Sequence, residues 1–201
     1  MAHVSSICVF CGSSTGRNPL HLAAAETLGR TMAEAGIRLV YGGGSIGLMG
    51  GVAKAVLKHG GAVTGIIPEF LLRKEIMLEG VDDLHIVDDM HTRKRMMFEH
   101  SDAFVALPGG VGTLEELVEQ MTWAQLGRHK KPIVLANIAG FWEPLQVLLS
   151  HMADEAFIRP GYEVKYLMAA RAEEIVPMVL QAAAGQAEAA LEGDRRSLEK
   201  M

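Results

Sequence analysis

Cysteine, long apolar runs and excess basic charge are scarce or missing in this chain. Two cysteines occur among 201 residues, Cys8 and Cys11. They spell C-x-x-C, the spacing of a redox pair or half a zinc site, but no second pair completes four ligands. Cys8 lies inside an apolar run (Ile7-Cys8-Val9-Phe10), whereas a redox pair commonly opens a helix. Both are therefore expected as small buried residues. The eight histidines are scattered without an H-E-x-x-H, so no metal site is expected. No G-x-S-x-G occurs, against a serine hydrolase, and no G-x-x-x-x-G-K-[ST], against an ordinary ATPase or kinase. No apolar stretch approaches the roughly 20 residues of a membrane span, so no membrane partner is expected. Met1-Ala2-His3-Val4-Ser5-Ser6 shows no charged-then-apolar leader, which points to the cytoplasm. The formal net charge of -5 argues against a basic surface for nucleic acid.

What the chain has is apolar bulk. Hydrophobic residues make up 49%, enough for a sizeable core in one domain over 1–201. Short apolar runs predict strands at Ile7–Phe10, Ile37–Tyr41, Ala62–Ile67, Leu84–Val87, Ala103–Leu107, Pro132–Ala136 and Tyr166–Met168. Between them lie helical patterns. Asn18 and Pro19 open the first, whose apolar face is Leu22, Ala25, Leu28, Met32 and Ala35, and Gly36 ends it. Others run through Ala53 to Gly60, Met90 to about His100, Thr113 to about Leu126, Phe141 to about Ala156 and Glu173 to Ala184. Glu69–Asp83 reads as irregular, and about 185–201 as a tail that extends the last helix or frays. Strands that are continuously apolar are covered on both faces. The fold class is therefore α/β, Rossmann-like: a mostly parallel sheet with helices on both faces. Ligands of such sheets bind beyond the carboxyl ends of the strands. Three small-residue loops stand there: Gly12–Gly16, Gly42–Gly51 and Pro108–Thr113.

The most informative stretch is Phe104-Val105-Ala106-Leu107-Pro108-Gly109-Gly110-Val111-Gly112-Thr113-Leu114-Glu115-Glu116. An apolar strand turning on glycines into a helix suits a phosphate, because the glycines admit it and the helix start offers unpaired N–H groups. Thr113-x-x-Glu116 is also a capping box, which would explain the glutamate without any chemistry. A catalytic carboxylate beside the phosphate explains it too, and residue chemistry alone does not decide. Gly42-x-Gly44-x-x-Gly47 matches the dinucleotide fingerprint, but it follows the second strand. It is either a ligand-approaching loop or a packing turn, and Gly43 and Gly44 join Gly12 and Ser13 as candidate substrate contacts. In Met90-His91-Thr92-Arg93-Lys94-Arg95-Met96-Met97, a turn of about 100° per residue puts Arg93 on the apolar side with the methionines. A guanidinium held inward there is either a ligand or catalytic group or half of a structural ion pair.

Taken together these residues resemble the LONELY GUY (LOG) family of nucleoside 5'-monophosphate phosphoribohydrolases, often mislabelled lysine decarboxylases. The resemblance runs from Cys8-Val9-Phe10-Cys11-Gly12-Ser13-Ser14 through Val40-Tyr41-Gly42-Gly43-Gly44 to Trp123-Ala124-Gln125-Leu126-Gly127, and is sharpest at Met90–Lys94 and Pro108–Glu116. It implies hydrolysis of the N-glycosidic bond of a cytokinin riboside monophosphate or AMP, giving free base and ribose 5-phosphate without a cofactor. It also implies a homodimer. Arg93 and Glu116 would be the catalytic pair. Lys94, Gly110, Gly112 and Thr113 would contact phosphate or ribose, with Gly109 and Val111 in the same turn, and Glu75 would be a further substrate contact. The rival classes are a non-catalytic nucleotide-binding module, a pyridoxal-dependent decarboxylase and an NAD oxidoreductase.

Overall fold

The computed structural model describes residues 4–72, 78, 80–81 and 83–198. Its strands are β1 (Ser6–Phe10), β2 (Arg38–Tyr41), β3 (Val63–Pro68), β4 (Asp83–Val87), β5 (Ala103–Ala106), β6 (Ile133–Ala136) and β7 (Leu167–Ala169). Its helices are α1 (Pro19–Glu34), α2 (Gly47–Lys58), the short α3 (Glu69–Leu72), α4 (Met90–Glu99), α5 (Val111–Gln125), α6 (Glu143–Asp154) and α7 (Ile175–Leu198). The strands form one sheet in the order β4-β3-β2-β1-β5-β6-β7, and every neighbouring pair is parallel.

Parallel neighbours need crossover connections, so helices cover both faces. Alternate side chains of each strand then enter different cores. Ile7 and Val9 face one core with Leu28 of α1, Val52 of α2 and Val179 of α7. Cys8 and Phe10 face the other with Met97 of α4 and Leu117 of α5. Burial on both sides explains why the strands read as unbroken apolar runs. The two cysteines are buried free thiols, as their setting in the sequence implied.

Strand order reverses between β1 and β5. That point of an open α/β sheet carries a crevice at the carboxyl edge. Here the loops after the two strands touch, Gly12 N donating to Pro108 O at 3.1 Å. The Gly12 carbonyl in turn accepts from Leu48 N (3.0 Å) and Met49 N (3.3 Å) at the start of α2. Three glycine-rich loops thus meet on one edge.

Several boundaries differ from expectation. α5 starts at Val111 rather than Thr113, with Gly110 as its N-cap and no side-chain capping bond. The helix expected from Phe141 starts at Glu143, after a tight turn at Ile138–Gly140. α7 continues through Gly185 to Leu198, so the tail extends the last helix, one of the two alternatives its sequence left open.

At the opposite edge one carboxylate joins β1 to β5. Asp102 Oδ2 accepts from Ser5 N (2.8 Å), Ser5 Oγ (2.9 Å), Ser6 N (3.1 Å) and Ser6 Oγ (3.1 Å). Burial alone would raise this carboxyl, but the four hydrogen bonds outweigh it and hold its pKa below the usual value. Replacing Asp102 by Ala should cost about 2 kcal/mol at neutral pH, since Ser6 is buried and loses its acceptor. A lowered pKa contributes stability above the unfolded value that is lost as pH falls through the folded one. Urea unfolding of the two proteins should therefore converge in acid. An equal gap at neutral and acid pH would contradict this.

Candidate functional site

The start of α5 is an open helix N-terminus. Leu114 N, donating to Gly110 O at 3.0 Å, begins the backbone ladder. The N–H groups of Val111, Gly112 and Thr113 come before it and have no acceptor within the helix. Gly110, Val111 and Gly112 are exposed, and a side chain at either glycine would meet nothing within 4 Å. The space over the turn is free, and the helix dipole adds partial positive charge there. Thr113 is buried beneath, packed so closely on Gly109 that no Cβ fits at 109.

The earlier helix start also corrects the capping box. Thr113 is the third residue of α5, and Glu116 is the sixth, pointing inward and 8% exposed. It does not cap the helix. It faces Arg93.

Arg93 reaches this place because Asp89 caps α4, its Oδ1 accepting from Thr92 N at 2.7 Å, and the helix turns position 93 toward the sheet. Arg93 is 7% exposed, and its guanidinium is anchored on three sides. Nε donates to Ile66 O (3.1 Å) on β3, and Nη2 to Gly42 O (3.4 Å) just beyond β2. Nη1 lies 3.5 Å from Glu116 Oε1. A Cβ at position 42 would overlap Nη2, so only glycine leaves room for the guanidinium.

Two opposing effects set the charge on Glu116. Burial pushes its carboxyl up, Arg93 pulls it down, and the balance falls at about 7. The carboxyl therefore exchanges its proton near neutral pH, as a group doing acid–base work requires. Cys8 and Cys11 lie below it, and burial raises both thiols, with the Glu116 charge adding to the effect. They are inert at neutral pH.

Lys94, expected at phosphate or ribose, is engaged elsewhere. Its side chain is 11% exposed, and Nζ pairs with Glu115 and, at 3.0 Å, with Glu119. Gly43 and Gly44 are buried beside the Arg93 anchor, and Gly43 takes a positive φ of 85° against Ile67. Ser13 is exposed on the loop after β1. Glu75 lies outside the described residues. Sequence reasoning missed four participants. The carbonyls of Gly42 and Ile66 carry no side-chain signal at all. Glu115 and Glu119 did have one: carboxylates four apart on the helix that faces the Arg93-Lys94 pair.

Among the described residues, no group of three or more His, Cys, Asp or Glu could hold a metal, and no helix is long and apolar enough to cross a membrane. A cavity of about 420 Å³ opens near the amino ends of β6 and β7, lined in part by His129, Lys131, Tyr162 and Tyr166. Its His129 ring is held by Gln120 O (3.1 Å), and Lys131 Nζ is bound to Phe98 O (2.6 Å). Arg93 and Glu116 do not line it.

Known proteins resemble this chain closely. A family profile described as "possible lysine decarboxylase" matches residues 49–179. Cytokinin riboside 5'-monophosphate phosphoribohydrolase LOG7 of Arabidopsis thaliana is 49% identical over 170 residues, covering 85% of this chain and 78% of that protein. The rice (Oryza sativa subsp. japonica) enzyme LOG is 48% identical over 170 residues, 85% of this chain and 70% of its own. Among solved structures, the molybdenum cofactor carrier protein of Chlamydomonas reinhardtii aligns at a TM-score of 0.69 and 22% identity, over 90% of this chain and 99% of that one. At that identity the likeness is one of fold alone.

The titration of Glu116 is directly measurable. Carbon-13 NMR of the glutamate carboxyls should show one midpoint near 7, rising further in Arg93→Met. The raised pKa means that the stability Glu116 contributes is fully present below pH 4.5 and lost as pH rises through about 7. In Glu116→Gln that decline, about 3 kcal/mol, should vanish. A midpoint for Glu116 in the ordinary carboxylate range would contradict the balance described.

Proposed function

The chain belongs to the LOG family of phosphoribohydrolases, and from that membership we propose that it hydrolyses the N-glycosidic bond of a nucleoside 5'-monophosphate, releasing free base and ribose 5-phosphate. The observation that carries the reading at residue level is the buried Arg93–Glu116 pair set directly behind an open helix N-terminus.

The 5'-phosphate sits on the N–H groups at the start of α5, with Gly109–Thr113 as its cradle. Gly12, Ser13, Gly43 and Gly44 border the same edge and limit where the sugar lies. C1' then rests over Glu116. Breaking the C1'–N bond leaves positive charge on the sugar, as in glycoside cleavage. The Glu116 carboxylate stabilises that charge and takes a proton from the attacking water. Water oxygen bonds to C1', and the base leaves with the bonding pair and acquires a proton at nitrogen. Arg93 keeps Glu116 aimed and partly ionised despite its burial. Its two carbonyl anchors support that orienting role over a direct phosphate contact. Glu75 remains a proposed substrate contact from the family resemblance.

Cytokinin riboside monophosphate and AMP are the proposed substrates. A homodimer is proposed as well, supported by exposed apolar side chains along α5: Val111 (84% exposed), Leu114 and Val118. A cytoplasmic location is supported by the two free thiols. A non-catalytic nucleotide-binding module would have little use for a buried carboxylate beside an anion site, since that charge repels the ligand it is meant to hold.

A panel of nucleoside monophosphates, with matching nucleosides as controls, tests the proposal by release of free base. Monophosphates should be cleaved and nucleosides much more slowly. Glu116→Ala should lower kcat at least about 100-fold, and Arg93→Ala comparably. Wild-type turnover in Glu116→Ala, or nucleosides cleaved as fast as monophosphates, would overturn it. The pH profile is a second test. Because the carboxylate is the active form, kcat/KM should rise as pH increases through about 7. A flat profile across that range would remove Glu116 as the proton acceptor.

A further inference from the structure

Arg93 and Glu116 each have a charged neighbour in sequence, and those neighbours also meet. Lys94 of α4 reaches across to α5, where Nζ is held by Glu115 and by Glu119 at 3.0 Å. The two contacts run side by side: Arg93 with Glu116 inside, Lys94 with Glu115 and Glu119 outside. The inner pair is the looser one, at 3.5 Å.

We propose that Lys94 is a positioning residue, a clamp that uses two carboxylates one helical turn apart to fix α4 against α5 and so set the approach of Arg93 to Glu116. Glu115 and Glu119 are its counterparts. This rests on the hydrolase reading above.

Three observations support the clamp. First, residues four apart on a helix lie on one face, so Glu115 and Glu119 present a ready two-point seat for one ammonium. Second, Lys94 is largely withdrawn from solvent, and its burial, which would lower the ammonium pKa, is outweighed by the two carboxylates, which raise it. A lysine neutralised twice has little charge left to offer a phosphate. Third, the clamp and the reacting carboxyl share one field. Facing Glu116 are Arg93 and Lys94 from α4, Glu115 and Glu119 from α5, and the thiols of Cys8 and Cys11 from below. Lys94 lowers the Glu116 pKa, whereas Glu115 and Glu119 raise it.

The test compares Lys94→Met, Lys94→Arg and Glu119→Gln, with thermal melting to verify folding. Each variant is assayed for adenine release from AMP and titrated at Glu116 by carboxyl carbon-13 NMR. A clamp predicts a kcat loss of about tenfold or more in Lys94→Met with KM for AMP nearly unchanged. Lys94→Arg, which can grip both carboxylates, should recover most of kcat. Glu119→Gln leaves the ammonium in place but weakens its seat, and should lower kcat as well. The Glu116 midpoint should rise in Lys94→Met. A raised KM for AMP with unchanged kcat would instead make Lys94 a phosphate contact and overturn the clamp. Unchanged kcat in both Lys94→Met and Glu119→Gln would overturn it too. The NMR midpoint needs no turnover. Wild-type protein that releases no base removes the hydrolase reading, whereas an unmoved Glu116 midpoint in Lys94→Met removes the clamp.

Discussion

The guanidinium of Arg93, held between the carbonyls of Gly42 and Ile66 and set against Glu116, is the contact on which the site depends. It gathers four parts of the chain at one point: the loop after β2, strand β3, helix α4 and helix α5. Each part contributes something the others cannot. Gly42 gives room, because any side chain there would occupy the place of Nη2. Ile66 gives a fixed carbonyl from a fully buried strand. The capped start of α4 fixes the direction from which the arginine enters.

Burying a carboxylate is costly unless a partner stays close. Here the partner is close without being tight, and the carboxyl settles near 7, neither locked as an anion nor held as an acid. That intermediate state suits the proposed hydrolysis of a glycosidic bond. In that proposal the carboxylate form stabilises a cationic sugar and accepts a proton from water. The same negative charge would repel a bound phosphate, which explains the arrangement in depth. The proposed phosphate surface at Gly110–Gly112 is open to solvent, and Glu116 lies one turn further along, buried behind it.

Much of the fold was legible because fully buried parallel strands have a plain signature: short, continuous apolar runs between helical patterns. The inward turn of Arg93 was legible from helical phase. The start of α5 was not. Thr113-x-x-Glu116 has the residues of a capping box, yet the helix begins two residues earlier, because Gly110 serves as N-cap and Val111 and Gly112 already take helical geometry. A side-chain pattern cannot reveal a cap formed by backbone alone. The partners of Lys94 were hidden for a related reason. Sequence puts it beside Arg93, but its partners are two carboxylates on a helix 21 and 25 residues away. The anchoring carbonyls of Gly42 and Ile66 were invisible, since every residue has one and only the fold selects which are used.

The central claim is spatial: a 5'-phosphate on the first turn of α5 brings C1' over the Glu116 carboxyl. The most direct measurement is a crystal structure of the Glu116→Gln protein soaked with AMP, in which cleavage is stopped and the nucleotide persists. The phosphate should accept from the N–H groups of Val111, Gly112 and Thr113, with C1' within van der Waals reach of the residue 116 side chain and Arg93 still on its two carbonyls. A phosphate bound away from that turn, or a sugar pointing away from residue 116, would contradict the account.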